Sequence, residues 1–215
     1  MTVFAKITIK EFRYSRVLPN VLSTVFHPLL MPAVGTLFIL FGSGLYITLL
    51  PVHAKEMILW IVGSCTVAMP VLSVFLYRVY YSDGAPPFSK RRERLFTMLL
   101  TAIFYYFAWQ VLHVMHTPAI IQRVVLVAMI TVCVSSVVSC FRNISIHGVG
   151  AGGVIGIMAA LCTVSLPLLP AFTGVILLSG VVGYARIRLN THTPAQYYAG
   201  VLLGFAVAFG TFSLF

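Results

Sequence analysis

The chain contains the apolar stretch AIIQRVVLVAMITVCVSSVVS at residues 119–139, in which Arg123 is the one charged residue. A helix needs about 20 apolar residues to cross the hydrocarbon core of a bilayer. Because backbone polar groups cannot stay unpaired in lipid, a spanning segment is either a helix or a strand of a closed barrel. The stretch lacks the alternation of apolar and polar residues that barrel strands show. It therefore predicts a transmembrane α-helix.

Further apolar stretches fill most of the remaining chain. They run over Leu29–Leu50, Met57–Tyr80, Leu95–His113, Val149–Leu166, Ala171–Tyr184 and Ala195–Phe215. The stretch at Ala171 is short, and Pro167 and Pro170 are compatible with a bent helical hairpin. The sequence predicts an all-α, polytopic membrane bundle of six or seven transmembrane helices, with six if the first stretch is a re-entrant hairpin.

Composition excludes a water-soluble fold. Hydrophobic residues make up 60% of the chain and charged residues only 8%, whereas a soluble domain has about 25% charged residues. The formal net charge is +10, which is compatible with nucleic acid or an anionic membrane surface as partner. Most of this chain would have no surface in contact with water. We therefore expect a phosphorylated lipid and membrane lipids as partners, and no nucleic acid.

The basic residues are unevenly distributed between the two sides of the membrane. With seven spans, all but two of the 14 fall on one side, and only Lys55 and Arg123 lie opposite. The positive-inside rule places the charged side in the cytoplasm, whereas a six-span topology would turn the site to the other side. We expect a multi-pass protein of a bacterial inner membrane, with residues 1–22 as an interfacial segment and residues 23–215 as one transmembrane domain.

Two loops on the charged side are rich in groups that bind anions. The first, SDGAPPFSKRRER at residues 82–94, is either a solvated loop near lipid headgroups or part of a phosphate site. The second, RNISIHG at residues 142–148, leads into a helix start, where hydroxyl and N–H donors suit an anion. His147 is either a functional group or a histidine that is only hydrogen-bonded. The following glycines recur every four residues, typical of helix–helix packing: Gly148, Gly152 and Gly156.

A third loop carries YARIRLNTHTPAQYYAG at residues 184–200. Thr193 has the residue type of a helix N-cap, and Pro194 suits the first helical position. His192 would then lie just outside a helix start, where its imidazole can meet an anion. We interpret His27 more simply, as a polar residue at the entrance of the first span.

The third loop resembles a motif of the type 2 phosphatidic acid phosphatase superfamily, membrane phosphatases that are related to vanadium haloperoxidases. The three motifs of that family read K-x6-R-P, P-S-G-H and S-R-x5-H-x3-D. The third is matched by Arg186, five intervening residues and His192, with Gln196 where the family has aspartate. The resemblance covers about Ser89 to Gly204.

The first two motifs are matched less closely. The second is similar to Ile144–His147, which keeps serine and histidine and lacks the proline and glycine. In the first, Lys90, Arg91 and Arg94 stand in the right loop at a different spacing, and Leu95 replaces the proline.

The resemblance implies a haloperoxidase-like helical core and a lipid phosphatase that needs no metal or other cofactor. His192 would attack phosphorus to form a phosphohistidine, and His147 would protonate the leaving oxygen and later assist water. The substrate phosphate would be held by Lys90, Arg91, Arg94, Ser145, Ile146 and Arg186. The substrate would be a phosphate monoester or diphosphate on a lipid or polyprenyl tail.

Gln196 leaves two roles open. As a substitute for the family's aspartate, it would accept a hydrogen bond from His192 but supply no charge, and an amide in such a position is costly to activity. Alternatively, Thr193-x-x-Gln196 is a capping box in which the glutamine bonds the cap backbone. The first hypothesis is therefore a membrane phosphatase, and the alternative is an inactive or weak relative that binds or carries phospholipid headgroups.

Overall fold

The computed structural model describes residues 19–24, 26–81 and 90–214, and for residues 78, 80, 81, 90 and 91 it describes the backbone alone. Our predictions for residues 1–18 and for the loop at 82–89 lie outside the described residues. Within the described ranges all regular structure is helical. Residues 19–24 are helical, and the α-helices that follow them are α1 Met31–Phe41, α2 Val52–Gly63, α3 Met69–Tyr81, α4 Lys90–Val114, α5 Ala119–Ser139, α6 Ile146–Val164, α7 Leu169–Arg188 and α8 Pro194–Leu214.

In the described part of the chain, six helical segments are long and apolar enough to cross a membrane. They are Val52–Tyr77, Arg92–Val114, Ala119–Ser139, Ile146–Val164, Leu166–Arg188 and Pro194–Leu214. The protein is therefore an integral, multi-pass membrane protein with an all-α fold, as the apolar stretches predict.

The prediction of one spanning helix over Leu29–Leu50 is wrong. The helix α1 ends at Phe41, and Gly44 then adopts a left-handed backbone with φ of 65°, a conformation that suits glycine and ends helices. The hydroxyl of Ser43 donates to the carbonyl of Ile39 at 2.7 Å, which satisfies one acceptor at the helix end. The apolar helix here covers only Pro28–Phe41.

This shorter segment nevertheless carries the chain from one end of the bundle to the other. Ser23 lies against the last turn of α7, whereas the ring of Phe41 lies 4.8 Å from the ammonium of Lys55 in α2. The rings of Tyr77 and Phe96 lie 5.3 Å apart, so α3 returns to the end where α4 begins. Ser23, the start of α4 and the second and third loops therefore lie at one end of the bundle, called the site end below.

Helices α2 and α3 form one span through a π-helical turn at Ser64–Ala68. The sequence prediction began this span at Met57, after Lys55 and Glu56. Lys55 is nonetheless buried, with its ammonium donating to the carbonyl of Thr48 at 2.6 Å and lying over the ring of Phe41. These contacts offset part of the cost of burying a charge, so the helix starts earlier than predicted.

The predicted short stretch Ala171–Tyr184 is part of a longer span, Leu166–Arg188. Ser165 has extended backbone angles, φ −142° and ψ 95°, which end α6. Pro167 and Pro170 follow in the first turns of the new helical segment, where a missing N–H loses no hydrogen bond. The prolines therefore separate two helices of full length.

Helices α6 and α8 approach each other closely through glycines, which confirms the packing role predicted for the glycine repeat. The glycines at this contact are Gly148, Gly152, Gly156, Gly200 and Gly204. A Cβ atom on Gly156 would lie 2.8 Å from the carbonyl oxygen of Phe205, and one on Gly200 would lie 2.6 Å from the carbonyl oxygen of Ser145. Only glycine permits this spacing.

Candidate functional site

The first residues of α6 and α8 lie side by side at the site end. Ser145, the N-cap of α6, donates its backbone N–H to the carbonyl of Gln196 at 3.1 Å, and its Oγ accepts from the N–H of Gly148 at 3.4 Å. The side chain of Ser145 is fully buried, and its hydroxyl caps α6. Its contact with phosphate stays a prediction. Ile146, also predicted to bind phosphate, is the first residue of α6.

Gln196 takes part in both interactions that the sequence leaves open. Its N–H donates to Oγ1 of Thr193 at 3.3 Å, and its Oε1 accepts from the Thr193 N–H at 3.2 Å, which completes a capping box. The same Oε1 lies 3.3 Å from Nδ1 of His192. Because an amide oxygen only accepts, Nδ1 carries the proton and Nε2 of His192 keeps its lone pair. Nε2 is therefore the nucleophilic atom of this ring.

The surroundings of His192 favour its neutral form. Burial lowers the pKa of the imidazole, the hydrogen bond with Gln196 opposes that shift, and the positive charges of Arg186 and Arg94 lower the pKa further. A pKa below the ordinary value leaves the lone pair on Nε2 available at neutral pH. The ring can therefore act as a nucleophile or as a hydrogen-bond acceptor there.

His147, the second residue of α6, contacts the chain that precedes α1. Its Nε2 lies 3.1 Å from the carbonyl oxygen of Ser23 and 3.5 Å from the Ser23 hydroxyl. Because a carbonyl oxygen only accepts, Nε2 carries the proton in this contact. The ring of His27 packs edge-on against that of His147, with the centroids 5.4 Å apart.

Arg186 is positioned by the packing of α7 on α8. Tyr197 of α8 lies against Gly183, where a Cβ atom would lie 2.5 Å from the ring, and its hydroxyl donates to the carbonyl of Ser179 at 2.7 Å. At the end of α7, Nη1 of Arg186 donates to Oγ of Ser23 at 2.8 Å. Its Nε is buried and has no hydrogen-bond partner among the described residues.

Arg94 is the member of the predicted basic cluster that the structure brings to the site. Its Nη2 donates to Oδ1 of Asn143 in the second loop at 3.4 Å. Its Nε is buried, again without a partner in the part of the chain that the structure describes. Lys90 and Arg91 begin α4, but their side chains lie outside the described residues, and their role in binding phosphate stays a prediction.

A cavity of about 750 Å³ joins these groups to the interior of the bundle. Its head is lined by His27, Glu93, Arg94, Ile146, His147, Arg186 and His192. Its body is apolar and extends along α6 to Leu161, with Phe38, Met158 and Val175 among the lining residues. Since a helix rises about 1.5 Å per residue, His147 and Leu161 lie about 21 Å apart, which is most of the hydrocarbon core of about 30 Å.

Two residues of this site were missed in the sequence. His27 was interpreted as a polar residue at the entrance of a span, and Ser23 was not singled out. Neither belongs to a motif, and along the chain each lies more than a hundred residues before the groups that it contacts. The pair His27-Pro28 at a helix start was the only local signal.

Within the described ranges, no group of three His, Cys, Asp or Glu side chains could hold a metal ion. Comparison of the chain with protein-family models, with curated proteins and with solved structures finds no match. The fold and the site define a multi-pass helical membrane protein whose internal cavity has a cationic head with three histidines and an apolar body.

Proposed function

We propose that this protein is an integral membrane lipid phosphatase, which hydrolyses a phosphate monoester or diphosphate on a lipid or polyprenyl tail. The observation that carries this proposal is that Arg94 and Arg186 line one cavity with His147 and His192, and that the buried Nε group of each arginine has no hydrogen-bond partner among the described residues. A buried donor without an acceptor is costly. A phosphate would supply negative charge and the kind of acceptor oxygen that neither Nε group has among the described residues.

The contacts of Ser23 indicate which kind of atom can bind at the head of the cavity. Its hydroxyl accepts from Arg186, and its carbonyl oxygen accepts from His147. The non-bridging oxygens of a phosphate are acceptors of the same kind and carry negative charge as well, so charge-assisted bonds would replace weaker ones. We therefore expect substrate phosphate to displace Ser23 from these two partners.

The proposed reaction has two steps. Nε2 of His192 attacks phosphorus, the P–N bond forms, and the bond from phosphorus to the lipid oxygen breaks while His147 gives that oxygen a proton. Water then attacks the phosphohistidine, gives a proton to His147, and releases inorganic phosphate. Arg94 and Arg186 would stabilise the charge that develops on the transferring group.

The test of the proposal is release of inorganic phosphate by the purified protein in lipid nanodiscs. The panel contains phosphatidic acid, phosphatidylglycerol phosphate, undecaprenyl diphosphate and a lipid A phosphate. We expect turnover of at least one of these lipids. If none is hydrolysed and none binds, the proposed function is rejected.

The apolar body of the cavity is the proposed site of the lipid tail. Val34 of α1 and Leu178 of α7 line the cavity and are 54% and 45% exposed, so the cavity reaches the lipid-facing surface at these helices. Gly174 also lines the cavity, and a Cβ atom there would meet nothing within 4 Å. A side chain can therefore start at this position without a clash at its Cβ atom, and a large one would occupy part of the cavity.

Gly174→Trp is expected to slow hydrolysis of long-chain lipid phosphates while sparing a water-soluble phosphate ester. We expect a loss of about tenfold in kcat/KM for the lipid, equivalent to losing the burial of roughly two methylene groups. The matched control is Gly180→Trp on the same helix, where a Cβ atom also meets nothing within 4 Å and which does not line the cavity. Equal rates in both variants on the lipid would contradict this placement of the tail.

A second candidate function is a binder or carrier of phospholipid headgroups without turnover. The observation that favours it is Gln196, whose amide contacts His192 where a carboxylate would also supply negative charge. Such a protein would bind phosphorylated lipid in the same cavity and release no phosphate.

Gln196→Asp separates the two functions. A carboxylate at this position would accept from the His192 Nδ1–H and from the Thr193 N–H, and would stabilise a positively charged phosphohistidine. For a phosphatase we expect a gain in kcat of about tenfold or more, measured as release of inorganic phosphate. A variant that binds lipid phosphate but stays without turnover would favour the carrier.

A further inference from the structure

His27 is a polar group at the head of the cavity to which the proposed reaction gives no role. It immediately precedes the helical turn at Pro28–Leu30, whose N-cap it forms. Its ring stands edge-on to that of His147, and it lines the same cavity as Arg186 and His192. It lies outside the three loops that the family resemblance covers.

The cap fixes the tautomer of this ring. The backbone N–H of Leu29 donates to Nδ1 of His27 at 3.3 Å, so Nδ1 is an acceptor and the proton of the neutral ring is on Nε2. Nε2 has no hydrogen-bond partner among the described residues. Burial, and then the positive charge of Arg186, lower the pKa of His27, so the ring is a neutral donor at neutral pH.

A neutral donor has a distinct use in this position. Arg94 and Arg186 already supply positive charge, and a third cation beside them would be repelled. An imidazole N–H adds a hydrogen bond to a phosphate oxygen without that repulsion. Its direction is set by the cap bond on the other side of the ring, which reduces the freedom lost on binding.

We infer that His27 is a phosphate-binding residue of this site, donating from Nε2 to a non-bridging oxygen of the substrate's phosphate group. The inference rests on the proposed function and assigns part of the site to the chain before α1. That segment then contributes to the site directly, since Ser23 contacts Arg186 and His147 and His27 follows four residues later.

The test compares His27→Asn with His27→Gln in the full-length protein. Asparagine is a strong N-cap and keeps the acceptor that Nδ1 supplies, but its shorter side chain has no donor at the position of Nε2. Glutamine places an amide N–H near that position. The control is His53→Asn, an exposed histidine in the first turn of α2.

We measure kcat, KM, inhibition by orthovanadate and equilibrium binding of orthovanadate, together with thermal stability. We expect His27→Asn to weaken vanadate inhibition about tenfold, the value of one hydrogen bond to a charged group. We expect His27→Gln to recover part of that loss, and His53→Asn to match the wild type. If the wild type hydrolyses lipid phosphate and His27→Asn binds vanadate equally well, the inference fails while the proposed function stands.

Two further outcomes are decisive. If the wild type binds vanadate but hydrolyses no lipid, the binding comparison still tests His27, and only the enzymatic proposal fails. If the wild type neither hydrolyses lipid nor binds vanadate, both proposals are overturned. If His27→Asn loses thermal stability, His27→Gln becomes the deciding variant. A stable His27→Gln whose affinity for vanadate is within threefold of the wild-type value supports the assignment. A stable His27→Gln that binds vanadate more weakly than that contradicts it.

Discussion

Replacement of His192 or His147 by alanine is expected to abolish release of inorganic phosphate. In the proposed mechanism, His192→Ala removes the lone pair that attacks phosphorus, and His147→Ala removes the group that protonates the leaving oxygen. Groups that act as a unit in covalent catalysis each cost about a thousandfold or more when removed. The measurement is the initial rate with the best lipid of the panel, at saturating substrate concentration.

The control for both variants is His53→Ala, an exposed histidine in the first turn of α2 at the opposite end of the bundle. It should keep the wild-type rate. Equal phosphate release by the wild type, His192→Ala and His147→Ala would reject the mechanism, because neither imidazole would then take part in a chemical step.

Gly152→Ala is expected to have the largest effect on stability. A Cβ atom on Gly152 would overlap the carbonyl oxygen of Val201 in α8, so the two helices must separate. We expect a loss of about 3 kcal/mol or more in the free energy of unfolding. Because the contact between α6 and α8 also sets His147 and His192 at one level, activity should fall with stability. Unfolding in mixed detergent micelles provides the measurement.

The neighbouring residue supplies a matched control. A Cβ atom on Gly153 would meet nothing within 4 Å, so the same substitution adds no clash. Alanine is favoured over glycine inside a helix by up to about 1 kcal/mol, and Gly153→Ala should be neutral or slightly stabilising. Similar losses of stability in the two variants would show that glycine is not required at the contact.

The spans could be predicted from sequence because lipid imposes one requirement on every residue that it surrounds. A long run such as residues 119–139 satisfies that requirement alone, and its predicted bounds coincide with α5. The prediction for the first span was wrong because apolar composition does not report backbone conformation. The break after Phe41 depends on Gly44 and on a hydrogen bond from Ser43, both of which are local.

The contacts within the candidate site were predictable where a motif keeps its residues close in sequence. His192, Thr193 and Gln196 lie within one turn of a helix start, so spacing alone brings them together. Ser23 and His27 lie at the site because of the tertiary fold. The chain before α1 packs against the first turn of α6 and the last turn of α7. Sequence separation hides such contacts, since no local pattern encodes them.

Equilibrium binding of inorganic phosphate tests the central claim most directly, because both the phosphatase and the carrier require it. The protein in nanodiscs is titrated with radiolabelled phosphate, beside Arg186→Gln and the control Arg123→Gln near the opposite end of the bundle. We expect saturable binding by the wild type and the control, and a loss of at least about tenfold in Arg186→Gln, which removes a charged donor. No saturable binding by the wild type, or equal binding by all three proteins, would contradict a phosphate site at the head of the cavity.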